Sequence, residues 1–144
     1  MTLKEMILCL SETPGPSGRE DAAMQAAAEL LRPYADEIRR DCMGNLIALK
    51  KCAAADAPTV MLDAHMDEIG LIVTGYEKGF LRFQALGGVD ARMLPALEVK
   101  VLAEEPLYGV IDTLPPHILS AEEREKPLAM DKLFIDVGLG VEEV

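Results

Sequence analysis

Apolar residues recur at intervals of three and four near the N-terminus, which predicts amphipathic helices. The first helix is predicted from Thr2 to Leu10, and Thr2 with Glu5 has the spacing of a capping box. The segment 13–18 then contains two prolines and two glycines, which cannot continue a helix. The chain therefore begins with one helix and a break.

A second helix is predicted after this break. Ser17 and Glu20 have capping-box spacing, and the apolar pattern continues to about Leu31, just before Pro33. One side of this helix is rich in alanine, which favours close packing on a sheet.

Beyond Pro33 the apolar period changes from that of a helix to that of a strand. Segments 37–41 and 46–49 flank Met43-Gly44-Asn45, whose turn chemistry predicts a hairpin. The apolar run 59–64 predicts a buried strand. Further strands are predicted at Ile69–Thr74, Phe80–Ala85, Glu98–Leu102, Tyr108–Asp112 and Leu133–Val137.

These elements predict a fold of two classes, α/β followed by all-β. Residues 1–67 form the α/β part, and residues 68–144 form a β-rich part that resembles a small barrel or sandwich without a convincing helix.

Composition limits the partners and the compartment. The formal charge of −11 argues against nucleic acid or an anionic membrane as a partner, because phosphate binding needs clustered Lys and Arg. Three cysteines without CxxC spacing predict reduced, mostly packed thiols in a cytoplasmic protein. No apolar stretch approaches the roughly 20 residues of a membrane span, and the N-terminus makes a poor signal peptide.

The segment from Asp63 to Gly70, DAHMDEIG, carries the candidate chemistry. A histidine, a spacer and an aspartate after a strand can begin a metal site, in which His65 ligates the ion and Asp67 orients the imidazole. The same residues, taken alone, also fit a hydrogen-bonded core histidine beside a surface acid.

Five segments resemble the glutamyl/deblocking aminopeptidases, a family of dinuclear metallopeptidases that includes the tetrahedral aminopeptidases and some members labelled endoglucanase or cellulase. These segments are PSGRE (16–20), DCMGNL (41–46), AHMDEIGLIVT (64–74), GFLRF (79–83) and PPH (115–117). They occur in order over nearly the whole chain.

The resemblance implies a metal-dependent hydrolysis of N-terminal residues from peptides. His65 would be a ligand to one of two divalent ions, zinc or cobalt, and Asp67 would be the catalytic-site residue that orients it. In this family two metals share a water that a glutamate deprotonates for attack on the scissile carbonyl.

The resemblance also implies roles for the two parts. Residues 1–67 would belong to a partial α/β catalytic domain, and residues 68–144 to an incomplete β-rich insert that mediates dimerisation and assembly into homo-oligomers. His117 would be a turn histidine, not a ligand, and Glu142-Glu143 would not be the family's catalytic Glu pair.

The family's remaining ligands and its glutamate base cannot be assigned in this sequence. We therefore predict an N-terminal aminopeptidase fragment that lacks activity by itself. The alternative is a non-catalytic assembly module, and a glycosidase is the weakest hypothesis because the chain has no Trp and few other aromatic residues. An unclosed β-rich domain would also expose strand edges, which predicts a dimer paired along those edges.

Overall fold

The chain divides after Glu68 into two units, Met1–Glu68 and the part that begins at Ile69. The computed structural model describes residues 1–125 and 128–140, so Glu142-Glu143 lies outside the described residues. The boundary predicted from the sequence was one residue earlier, after Asp67. Each unit is described by itself.

Two helices open the first unit. Helix α1 spans Leu3–Glu12, and its capping box is confirmed: the Thr2 N–H donates to Glu5 Oε2 over 2.7 Å, and Thr2 Oγ1 accepts from the Glu5 N–H over 3.3 Å. Helix α2 spans Asp21–Leu31, and it buries its Ala23 and Met24 side chains. Both predicted helices are therefore present.

The second predicted capping box is wrong. Helix α2 has Glu20 as its N-cap and no side-chain cap hydrogen bond. Gly18, at φ +86°, bends the chain before the helix starts, and its N–H donates to Glu20 Oε1 over 2.6 Å. The helix thus begins too late for Ser17 to cap it.

The predicted hairpin is confirmed. Strands β1 (Glu37–Arg40) and β2 (Leu46–Leu49) pair antiparallel. Asp41 holds the turn, because its Oδ1 accepts from the backbone N–H groups of Met43 and Asn45, each over 2.9 Å. Its Oδ2 accepts from the Asn45 amide over 2.9 Å.

The buried strand predicted at 59–64 is absent. This segment forms no strand, and its apolar residues Val60, Met61 and Leu62 are 79%, 84% and 94% exposed. A strand that is apolar on both faces needs neighbours to cover it. No strand of the described residues pairs with this segment, so its hydrophobic pattern alone does not make it a strand.

The second unit is built on an antiparallel sheet, and all five predicted strands are present. In sheet order they are β3 (Gly70–Glu77), β4 (Phe80–Leu86), β7 (Leu133–Asp136), β6 (Leu107–Thr113) and β5 (Glu98–Val101). Alternate residues of the central strands face one side and form the core together with Leu94, which follows a 3₁₀ turn between β4 and β5. The strand residues of this core are Leu81, Phe83, Ile111, Leu133 and Ile135. In the described residues the sheet is open, with β3 and β5 at its edges.

Short helical segments interrupt the β-rich part, where none was predicted. Helix α3 covers Ala121–Glu125, and a 3₁₀ turn at Pro116–Ile118 contains the exposed His117.

The three cysteines are free thiols in the structure. Cys9 is half-buried, whereas Cys42 and Cys52 are exposed, so the prediction of packed thiols is wrong for these two. None of the described helices has the length and apolar character that a membrane span requires.

Candidate functional site

The imidazole of His65 is exposed, but one of its nitrogens is held. Its Nδ1 lies 3.0 Å from the backbone oxygen of Asp67 and 3.2 Å from Asp67 Oδ1. The backbone oxygen can only accept a hydrogen bond, and so can Oδ1 of an ionised carboxylate. Nδ1 is therefore the donor and carries the proton. The lone pair of a neutral ring then lies on Nε2, as a metal-ligating histidine requires.

Asp67 receives a second hydrogen bond, from a residue distant in sequence. The Ser17 hydroxyl donates to Asp67 Oδ2 over 2.5 Å. This bond, followed by the interaction with His65, lowers the pKa of the Asp67 carboxyl below its ordinary value of 3.8. Asp67 is therefore an ionised, acceptor-only group at neutral pH.

The backbone around Ser17 is fastened to the backbone around Asp67. Pro16 and Glu68 form an isolated parallel bridge, and the Glu68 N–H donates to the Gly15 carbonyl over 2.9 Å. The Gly15 N–H donates in return to Glu68 Oε1 over 2.8 Å. Glu68, whose carboxylate could have been a ligand, is thus engaged in holding the loop.

The described residues do not complete a metal site. Among them, no three His, Cys, Asp or Glu side chains are grouped so that they could hold an ion. A structural zinc site uses four protein ligands and a catalytic one about three. His65 presents one suitable nitrogen, and the structure brings Asp67 to its other side as predicted from their spacing.

Sequence reasoning missed Ser17 as part of this arrangement. Its spacing from Glu20 indicated a helix cap, and its contact with Asp67 spans 50 residues. The one available signal was the segment 16–20, which is one of the five segments that resemble the aminopeptidase family. The resemblance assigned no role to any residue of this segment.

Comparison with known proteins places the chain in a family. Residues 44–144 match the M42 glutamyl aminopeptidases, and both His65 and Asp67 lie inside that range. The chain belongs to the M42 glutamyl aminopeptidase family. The resemblance inferred from its motifs is thereby confirmed.

Three relatives illustrate how this M42 chain compares with longer proteins. It is 36% identical over 143 residues to a lysyl aminopeptidase of Pyrococcus furiosus, covering 96% of this chain and 40% of the relative. It matches the structure of a TET aminopeptidase from a marine sediment thaumarchaeon with a TM-score of 0.87 and 34% identity, covering 95% of this chain and 38% of the other. The Pyrococcus horikoshii TET1 peptidase, which can assemble into a tetrahedron or a large octahedral shell, matches with a TM-score of 0.80 and 33% identity over 96% of this chain and 41% of that one.

This M42 chain therefore spans about two fifths of the length of these relatives. Its similarity runs through both units, since the matches cover nearly all of its residues.

Proposed function

We propose that the chain is the N-terminal part of a metal-dependent M42 aminopeptidase, a hydrolase that removes N-terminal residues from peptides. One observation carries this proposal: the Nδ1 of His65 lies against two oxygens of Asp67, inside the region that matches the family. This geometry leaves Nε2 to ligate a metal, with Asp67 as the residue that orients it.

Two zinc or cobalt ions, when bound, would supply the Lewis acidity that activates water for attack on a peptide carbonyl. Within the described residues His65 is one ligand, whereas two ions together need about five protein groups. The chain alone therefore holds a metal weakly and does not hydrolyse peptides at a measurable rate.

The two units have separate roles in this proposal. The residues up to about 67 belong to a partial α/β catalytic domain, and the β-rich remainder is an incomplete insert through which copies associate into homo-oligomers. The assembly described for the Pyrococcus horikoshii peptidase supports association into homo-oligomers.

A non-catalytic assembly module is the second candidate function. It is favoured by the second unit, which has its own core of apolar side chains that includes the fully buried Ile111 and Leu133. A glycosidase has less support, because three Tyr, three Phe and no Trp leave few aromatic rings for stacking on sugars.

Metal binding by His65 tests the proposal. The chain is prepared with Cys42→Ser and Cys52→Ser, because both thiols are exposed and a thiolate is itself a ligand for cobalt or zinc. Cobalt is then titrated while the ring protons of the two histidines are followed by NMR. We expect paramagnetic broadening of His65 at lower cobalt concentration than that of His117, and the same broadening of His65 in His117→Ala. In His65→Ala the broadening of His117 should be as weak as in the unsubstituted chain.

Two outcomes discriminate further. Equal broadening of both histidines would contradict a ligand role for His65 and leave the assembly module. Two tightly held ions per chain after gel filtration, lost in His65→Ala, would contradict the incomplete site; hydrolysis of aminoacyl p-nitroanilides would then be expected from this chain.

A further inference from the structure

The hydroxyl of Ser17 is committed to the carboxylate beside His65 and not to a helix. It donates to Asp67 Oδ2, while Asp67 Oδ1 faces the imidazole Nδ1 at 3.2 Å. The three side chains therefore form a continuous chain of hydrogen bonds that ends on the nitrogen opposite Nε2.

We propose that Ser17 is a positioning residue for His65. This inference rests on the proposed function, because its purpose is to present Nε2 to a metal. An aspartate side chain can rotate about its two side-chain torsions, and a hydrogen bond to one carboxylate oxygen restricts the directions open to the other. By anchoring Oδ2, Ser17 directs Oδ1 at Nδ1 and favours the Nδ1-protonated form of His65.

The loop that carries Ser17 is itself built to hold the hydroxyl in place. The Pro16–Glu68 bridge and the two hydrogen bonds between Gly15 and Glu68 fix the backbone immediately before Ser17. Gly15 is buried against Ala23, so this part of the loop is also packed on helix α2. The hydroxyl therefore reaches Asp67 from a backbone whose position is already set.

If Ser17 had a purely structural role, Ser17→Ala would have a different effect. If its bond to Asp67 served only to join the two loops, its removal would be felt in stability and not in the imidazole. The Gly15–Glu68 hydrogen bonds already join these loops without Ser17. We therefore expect Ser17→Ala to fold normally and to change the state of His65.

The test uses the full chain with ¹⁵N-labelled histidine and no metal. Long-range ¹H–¹⁵N spectra in alkaline buffer, where the rings are neutral, report which nitrogen of each ring is protonated. We expect His65 to be Nδ1-protonated, and the ratio of its two neutral forms to shift toward Nε2 by about twofold or more in Ser17→Ala, as expected for the loss of one exposed hydrogen bond.

Three controls complete the experiment. Ser17→Thr keeps the hydroxyl and should restore the wild-type ratio, and Ser11→Ala, which removes a hydroxyl bonded to the Leu8 carbonyl, should leave the ratio unchanged. His117 should have the same spectrum in every variant. An unchanged His65 ratio in Ser17→Ala would overturn the proposal, and so would a shift that Ser17→Thr does not reverse.

The metal-free spectra separate this inference from the proposed function. If cobalt fails to broaden His65 but Ser17→Ala still shifts its neutral forms, the metal role is wrong and the positioning role is correct. If cobalt binds His65 equally well in Ser17→Ala and the ratio does not move, the metal role is retained and the positioning role is wrong.

Discussion

Gly15 occupies a position where no side chain fits. A Cβ built there would lie 2.9 Å from the Cβ of Ala23 on helix α2, closer than real Cβ atoms approach one another. The residue also supplies both the N–H and the carbonyl that bind Glu68. The absence of a side chain is thus a requirement for bringing the Ser17 loop close to Asp67.

We expect Gly15→Ala to destabilise the first unit by about 1–3 kcal/mol, the usual cost of overpacking. Denaturant unfolding followed by hydrogen exchange in residues 1–68 would measure it. The control is Asp56→Ala, at an exposed loop position of the same unit. Equal free energies of unfolding of the first unit in the two variants would contradict the close packing at Gly15.

The sequence predicts one half of the candidate site and not the other. His65 and Asp67 are two residues apart, so a local pattern is sufficient to pair them. Ser17 is 50 residues from Asp67, and its local pattern with Glu20 favoured a different hydrogen bond. A contact of this range depends on loop packing, which residue spacing does not contain.

At the scale of elements, the β1–β2 hairpin depends on one carboxylate. Asp41 accepts from the Asn45 side chain and from the backbone of Asn45 and Met43, and these hydrogen bonds lower its pKa below the ordinary 3.8. A group with a lowered folded-state pKa stabilises the fold above its unfolded pKa, and this contribution is lost as the pH falls through the folded value.

We therefore expect Asp41→Ala to lower the melting temperature of the first unit most above pH 3.8 and progressively less in more acidic buffer. Thermal unfolding followed by circular dichroism over this pH range would measure the difference. Asp56→Ala, at an exposed loop position, is the control and should leave the melting temperature at neutral pH unchanged. A difference that grows on acidification would contradict the assignment.

In the sheet of the second unit, strand β6 approaches β7 at a glycine. A Cβ on Gly109 would lie 2.7 Å from Ile135 Cγ2 and 2.8 Å from the Asp136 carbonyl oxygen. Ile135 is buried and the carbonyl belongs to the backbone, so neither atom moves easily. Because these strands lie so close together, only glycine, whose side chain is a hydrogen atom, fits at position 109.

Gly109→Ala should therefore destabilise the second unit by about 1–3 kcal/mol or more. Gly75→Ala, where nothing lies within 4 Å, is the matched control on a strand of the same sheet. Urea unfolding of the two variants gives the comparison. A loss in Gly75→Ala as large as that in Gly109→Ala would argue against the close approach of β6 and β7.

The elements differ in how well the sequence predicts them, for a physical reason. The five strands of the second unit find their partners within that unit, and β4, β6 and β7 show the alternating burial of half-buried strands. The segment 59–64 is apolar on both faces and needs neighbours that its own pattern does not specify. The hydrophobic pattern was therefore sufficient to predict the strands of the second unit, and it was not sufficient for the segment 59–64.

At the scale of the whole molecule, a high net charge opposes an exposed apolar segment. The formal charge of −11 makes copies of the chain repel one another, whereas the exposed run 60–62 favours association. Salt screens the repulsion and leaves the hydrophobic contribution in place. Self-association should therefore increase with ionic strength.

Sedimentation velocity in low and raised salt would measure this dependence. We expect Met61→Glu to shift the distribution toward monomer at either salt concentration. Met43→Glu makes the same chemical change at a hairpin position that is 82% exposed, and it should have little effect. A monodisperse wild-type monomer in raised salt, or equal effects of the two variants, would contradict association through this segment.

The bond between Gly15 and Glu68 also has a kinetic meaning. It joins residues 53 positions apart, and the intervening chain contains α2 and the β1–β2 hairpin. Helices and hairpins form from local contacts, whereas closing a long loop requires the ends to find each other against chain entropy. The surroundings of His65 should thus be completed late in folding, and a mutation that weakens this closure should speed local opening of the site more than it slows the formation of the elements around it.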